Sequence, residues 1–284
     1  MSKLVILNSF HSQSMDYLVD HSPEEIITFD SHLDDYMMMC GAKTVKIINR
    51  LSIDDRCAIL RTSVHFLLKT YFPDTPRYLV IPESSYLFDI NYRSKGICGY
   101  IDPTGVAKEL RRKKEHIFAN IFETKIFLSP PRNIKQLLKK VAKHKTAFDI
   151  DVDYLAEFQN VCFTRCFPLQ VEGFDLTTLG SINTLKYSIN RIKPKIIIIS
   201  EFMPSYLKNN VGVLKEFLEW LKRRGYTIED GKLFETDEDA LRVKEKSVIF
   251  FGRVLRKKQE KLTQNCDNLD EIMASALESY YLQK

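Results

Sequence analysis

Residues 194–202 read PKIIIISEF, with four consecutive isoleucines between a proline-lysine pair and a serine-glutamate pair. β-branched residues in a row favour extended backbone. A strand that is apolar at every position has no face to give to water, so it belongs inside a sheet covered on both sides. The rest of the chain repeats this plan. KLVILNSF (3–10), EEIITFD (24–30), KTVKIIN (43–49), RYLVIPE (77–83), TKIFLSP (124–130), TAFDIDVDYL (146–155) and SVIFFGRVL (247–255) read as further strands. Between them, helical spacing of apolar residues runs through 11–21, 54–72, 105–122, 133–145, 177–193, 211–229 (ending near Gly225) and 269–282. Short apolar strands alternating with helices predict an α/β fold: three layers, αβα, around a mostly parallel sheet. Ser, Gly and Pro make 82–105 the longest expected loop. With no internal repeat and no low-complexity linker, residues 1–284 are expected to form a single domain.

Composition narrows the function classes. A net charge of +5 over 284 residues is mild, and no basic run is interleaved with aromatic residues. Nucleic acid is therefore not an expected partner. The runs KELRRKKEH (108–116) and RVLRKKQEK (253–261) read as solvated faces. None of the six cysteines forms a CxxC pair, and the spacing of Cys162 and Cys166 has no counterpart that would complete a zinc ribbon. The start MSKLVILNSF lacks the pattern of a secretory signal, and no apolar run reaches the ~18 residues of a membrane span. The expectation is a reduced, cytoplasmic, soluble protein without a membrane partner.

Three of the expected strands end in metal-ligand residue types. LVILNSF leads to His11. IITF leads to Asp30, with His32, Asp34 and Asp35 close behind. TAF leads to Asp149, with Asp151 and Asp153 beyond. Ligands of open α/β sheets gather at the carboxyl ends of strands. Alternate residues of an extended chain point to one side, so Asp30, His32 and Asp34 can converge with Asp149 and Asp151, and His11 makes a sixth. Carboxylates crowded this closely repel one another, and a cation among them removes the conflict. Oxygen-rich ligands with one or two imidazoles suit manganese, whereas zinc draws more nitrogen or sulfur. Six ligands exceed the needs of one ion. Two ions about 3.5–4 Å apart, sharing carboxylates, would use them all and could hold a hydroxide for hydrolysis.

The segments FDSHLD (29–34) and AFDIDVD (147–153) resemble the DAHxD and SFDxDxxDP motifs of the arginase/agmatinase family, the ureohydrolases. SFHS (9–12) resembles the end of that family's GGDHS motif, and ISEFMPS (199–205) its MEVNPS segment. The matches keep the family's order from about residue 3 to residue 225. The resemblance is to a divergent member with a shortened amino-terminal part, and it implies an arginase-like fold with two Mn2+ ions per chain. It implies that His11, Asp30, Asp34 and Asp149 hold one ion and Asp30, His32, Asp149 and Asp151 the other, with Asp30 and Asp149 bridging. Asp34 would accept a hydrogen bond from the bridging hydroxide and pass its proton to the leaving amine. Glu201 would bind a guanidinium group. The implied activity is hydrolysis of a C–N bond in a small guanidino or amidino substrate, and the implied assembly is a homo-oligomer, trimer or hexamer.

The chain also departs from the family. NSFHS lacks the paired glycines, Asp153 stands one position early, and DYMMMCGAK (35–43) carries no histidine for the amino-acid end of arginine. Two alternatives therefore stand beside the ureohydrolase: a deacetylase-like amidohydrolase of the same fold with one zinc ion, and a non-catalytic binding or regulatory protein. His21 is an alternative to His11. Asp153 suits a helix cap, and Met37, Met38 and Met39 suit core filling. His65, His116 and His144 sit in helical patterns without acidic partners at ligand spacing, and Trp220 fits an apolar helix face. Arg165 and Cys166 follow the aspartates as candidates to line a pocket.

Overall fold

The computed structural model describes residues 3–30, 42–52, 55, 64–82, 120–121, 124–128, 131–154, 182–203, 212–240, 242–243, 274–275 and 278–279, and everything structural below concerns these. Eight strands form one sheet: β1 (Lys3–Leu7), β2 (Glu25–Phe29), β3 (Arg77–Ile81), β4 (Asn120–Ile121), β5 (Thr124–Leu128), β6 (Thr146–Asp151), β7 (Ile196–Ser200) and β8 (Tyr226–Asp230). Their order across the sheet is β4-β5-β3-β2-β6-β7-β1-β8. All neighbours are parallel except the two-residue β4, which runs antiparallel to β5.

Helices cover the two faces, among them α1 (Ser14–His21), α2 (Ala42–Ile48), α3 (Val64–Tyr71), α4 (Pro131–Lys140), α5 (Ile182–Ile192) and α6 (Gly212–Arg223). Strand alternation decides which residue faces which layer. Val5, Leu7, Ile27, Phe29, Phe148, Ile150, Ile197 and Ile199 pack with Ile134 and Leu137 of α4, Leu185 and Ile189 of α5, and Phe217 and Leu221 of α6. The intervening Ile6, Ile26, Ala147, Ile196 and Ile198 pack with Met15 and Leu18 of α1, Ile47 and Ile48 of α2, and Val64 and Leu68 of α3. The fold is thus the three-layer αβα arrangement that the apolar strands predict. The run of isoleucines in β7 is buried on both faces, worth about 1.5–3 kcal/mol for each side chain withdrawn from water.

Three local expectations are corrected. KTVKIIN is the helix α2, not a strand: Ile47, Ile48 and Leu51 are buried while Lys43, Lys46, Asn49 and Arg50 are exposed, a spacing of three and four. The β-branched residues suggest a strand there, but burial against the sheet selects the helix. Residues 120–121, expected at the end of a helix, form β4. The helix read in 211–229 ends at Arg223, close to Gly225 as expected; Gly225, at φ 79°, turns the chain into β8. His144 lies past the end of α4 at φ 64°, where its ring meets Lys193 O rather than a helix neighbour. The loop 83–105, the strand 247–255, the segments around Met37–Met39, Arg165 and Cys166, and nearly all of 269–282 lie outside the described residues.

Connection order places a switch in the middle of this sheet. From β2 the chain steps to β3 on one side, and from β6 it steps to β7 on the other. The carboxyl ends of β2 and β6 therefore flank the crevice where parallel α/β sheets bind ligands.

Candidate metal centre

Asp149 and Asp151 belong to β6, on the side of the sheet that faces α1, α2 and α3. Register pairs Thr28 of β2 with Asp149 and Asp151 with Ser200 of β7. Asp30 follows Phe29, the partner of Ile150, and so reaches the level of Asp151. His11 comes from a 3-10 turn, His11–Gln13, that follows β1. His11, Asp30 and Asp149 are wholly buried and Asp151 is 4% exposed.

His11 Nε2 donates to Asp149 Oδ2 at 2.8 Å, and its Nδ1 lies 3.4 Å from Asp30 Oδ2 and 3.5 Å from Asp151 Oδ2. Thr28 Oγ1 adds a long contact to Asp149 Oδ2, 3.5 Å. One ligand atom from each of His11, Asp30 and Asp151 falls within 4.8 Å of the other two. Among these four groups, one imidazole faces three carboxylates, and buried charge is costly unless paired or bound to a cation. Asp149 Oδ1 is buried without a hydrogen-bond partner among the described residues. Three carboxylates and one imidazole form a donor set that fits a hard or borderline divalent ion.

The position of His11 is fixed by the segment after β8. Gly231 N donates to Leu7 O, Ser9 N to Lys232 O, Lys232 N to Asn8 Oδ1, and Phe234 N to Ser9 Oγ. Phe10 is buried edge-on to Phe234, with centroids 5.1 Å apart. A Cβ at residue 231 would meet Asn8 Oδ1 at 2.4 Å, Ile6 Cγ2 at 2.7 Å and Tyr17 Oη at 2.8 Å, so only glycine allows this approach. Gln13 closes the turn: its side chain accepts from Phe10 N, and its own N–H donates to Phe10 O.

Of the residues singled out in the sequence, the structure brings together His11, Asp30, Asp149 and Asp151. His32 and Asp34 lie outside the described residues, as does the side chain of Asp153. His21 is exposed at the end of α1 with Nδ1 on Tyr17 O, away from this group. Glu201 is buried directly after β7 and holds a left-handed backbone, φ 60°. That conformation breaks the ladder. Asn8 N donates to Ile199 O, but Asn8 O accepts from Phe202 N, so Glu201 is an inserted bulge residue. Sequence reasoning missed Asn8, Ser9, Thr28, Ser200 and Gly231. The available signal was polarity at the tails of otherwise apolar strands, in LVILNS and IIIIS. Comparison with models of protein families, with curated proteins and with solved structures finds no match.

Proposed function

We propose that this chain is a metal-dependent hydrolase that cleaves a carbon–nitrogen bond, other than a peptide bond, in a small guanidino, amidino or amide compound. His11, Asp30, Asp149 and Asp151 would hold the metal, with His32 and Asp34 completing a two-manganese centre of the arginase-like kind. The observation that carries the proposal is the burial of one imidazole and three carboxylates, from three separate strand ends, within contact distance at the sheet's switch point. Divalent ions held there would supply Lewis acidity, making water acidic enough to yield hydroxide near neutral pH.

The chain's own groups have distinct tasks. The 231–234 segment and Gln13 hold the turn that aims His11. Thr28 and His11 both donate to Asp149 and fix its carboxylate, the kind of support that orients a ligand. Glu201 would accept an N–H of the substrate and orient its reacting carbon. Asp34 would take the proton that water gives up as the C–O bond forms and return it to the amine as the C–N bond breaks.

A single-ion amidohydrolase is the second alternative, favoured by one observation: the ligand atoms that cluster most tightly are one imidazole and two carboxylates, from His11, Asp30 and Asp151. Metal analysis after dialysis against manganese and zinc separates the two, with two manganese ions per chain expected and one zinc supporting the amidohydrolase. Asp149→Asn should lose metal and at least about 100-fold in hydrolysis rate, since even second-sphere changes cost 10–100-fold. A chain that takes up neither metal overturns the proposal.

A further inference from the structure

Where β6 ends, four neighbouring strands carry polar side chains in one row. Asp30 and Asp151 stand level, Asp151 pairs with Ser200, and the bond from Asn8 N to Ile199 O, 2.9 Å, carries the β1–β7 register on so that Asn8 stands beside Ser200. All four continue the face occupied lower down by Ile26, Ala147, Ile198 and Ile6. The row therefore passes from two carboxylates to two neutral side chains. Ser200 and Asn8 are wholly buried, and Ser200 Oγ and Asn8 Nδ2 have no hydrogen-bond partner among the described residues.

The orientation of the Asn8 amide follows from its neighbour. The backbone N–H of Lys232 can only donate, so the atom it meets at 3.1 Å is the oxygen. The other arm, Nδ2, can only donate. Buried donors without partners are rare and costly, and they persist where a ligand supplies the acceptor.

We infer that Ser200 Oγ and Asn8 Nδ2 form a donor pair beside the metal centre that receives the carbonyl oxygen of an amide substrate. The inference rests on the metal centre proposed above and chooses among the substrate classes left open there. A guanidinium presents only N–H groups around its reacting carbon and offers nothing to Nδ2, whereas an amide carbonyl presents two lone pairs. Glu201 accepts an N–H from either class and does not discriminate. As hydroxide adds to the acyl carbon, the carbonyl π electrons move onto oxygen, and fixed donors there gain strength as the charge grows. Collapse restores the carbonyl and breaks the C–N bond. The amine leaves with the proton that the attacking water gave up, and the acid keeps the oxygen.

N-butylacetamide and N-butylguanidine differ only in the reacting group. Their affinities for the manganese-loaded full chain can be read from paramagnetic broadening of the butyl proton signals. The acetamide should bind about tenfold more tightly. Ser200→Ala should weaken the acetamide about fivefold, the equivalent of one ordinary hydrogen bond. It should leave the guanidine and manganese affinities within twofold of the parent, with a Tm at or above the parent's because an unpartnered buried hydroxyl is gone. Asn8→Asp keeps the acceptor for Lys232 N, removes the donor, and should also weaken the acetamide. Preference of the parent for the guanidine, or undiminished acetamide affinity in Ser200→Ala, overturns the inference. So does a fall in Tm without a change in affinity, which marks a structural hydroxyl. Failure of the parent to take up either manganese or zinc overturns the metal centre itself, so the two failures are told apart.

Discussion

Glu201 keeps a left-handed backbone although it carries a side chain, and it does so at the end of a fully buried strand next to the carboxylates. The left-handed region costs a non-glycine residue about 1–2 kcal/mol, and such strain gathers where geometry serves a site. Glu201→Gly should therefore be more stable than Glu201→Ala by about 1–2 kcal/mol in urea unfolding, and equal stabilities would show that the strain is absent in solution. Gly231 is the opposite case, limited by contact. Gly231→Ala pushes a methyl into Asn8 Oδ1, Ile6 and Tyr17. It should cost about 1–3 kcal/mol through overpacking and weaken manganese uptake, because the same atoms hold the turn that carries His11. Gly212→Ala, with nothing within 4 Å of the added carbon, serves as the control and should change stability little. His11, Asp30, Asp149 and Asp151 were legible because each stands just past or within an apolar run, where a carboxylate or imidazole has no structural reason to be. Ser200 and Asn8 were not, because a serine or asparagine at a strand end reads as an ordinary turn residue.

At the scale of elements, legibility followed burial. β1, β2, β3, β6 and β7 are rich in apolar residues and buried along most of their length, which makes them plain in the sequence. β8 did not: of Tyr226–Asp230 only Tyr226 is fully buried, with Ile228 partly so, and the strand follows α6 with no loop beyond the turn at Gly225. Its β-branched Thr227 and Ile228 after a glycine were the available signal. α2 failed in the other direction, since Thr44, Val45, Ile47 and Ile48 carry a strand's propensity that packing overrides. β8 is nevertheless tied down. Tyr226 Oη donates to Pro194 O at 2.8 Å, joining it to the turn before β7. Tyr226→Phe leaves that carbonyl without this donor and should cost about 1 kcal/mol, measured as a lowered urea midpoint with unchanged slope.

The same hydroxyl matters to the whole molecule. Burial holds the phenol of Tyr226 far above its ordinary value, and burial also raises those of Tyr17 and Tyr78, with Lys232 partly opposing the shift at Tyr17. A group whose folded pKa lies above its unfolded value contributes stability that is intact below the unfolded value and lost as pH rises beyond it. Stability should therefore hold up to pH ~10, the ordinary tyrosine value, and fall above it. Tyr226→Phe should flatten that fall. An alkaline limb identical to the parent's would place the loss elsewhere.

The strand order has a consequence for the chain as it is made. β1 pairs only with β7 and β8, Leu4 lying against Ile196 and Thr227. β1 thus leaves the ribosome well before the two strands it pairs with. At roughly 5–20 residues per second, that is a delay on the order of 10–40 seconds, during which Val5, Ile6 and Leu7 have no native sheet partner. His11 enters its final place only after the 231–234 segment has been made, so the fold cannot close in the order in which it is written.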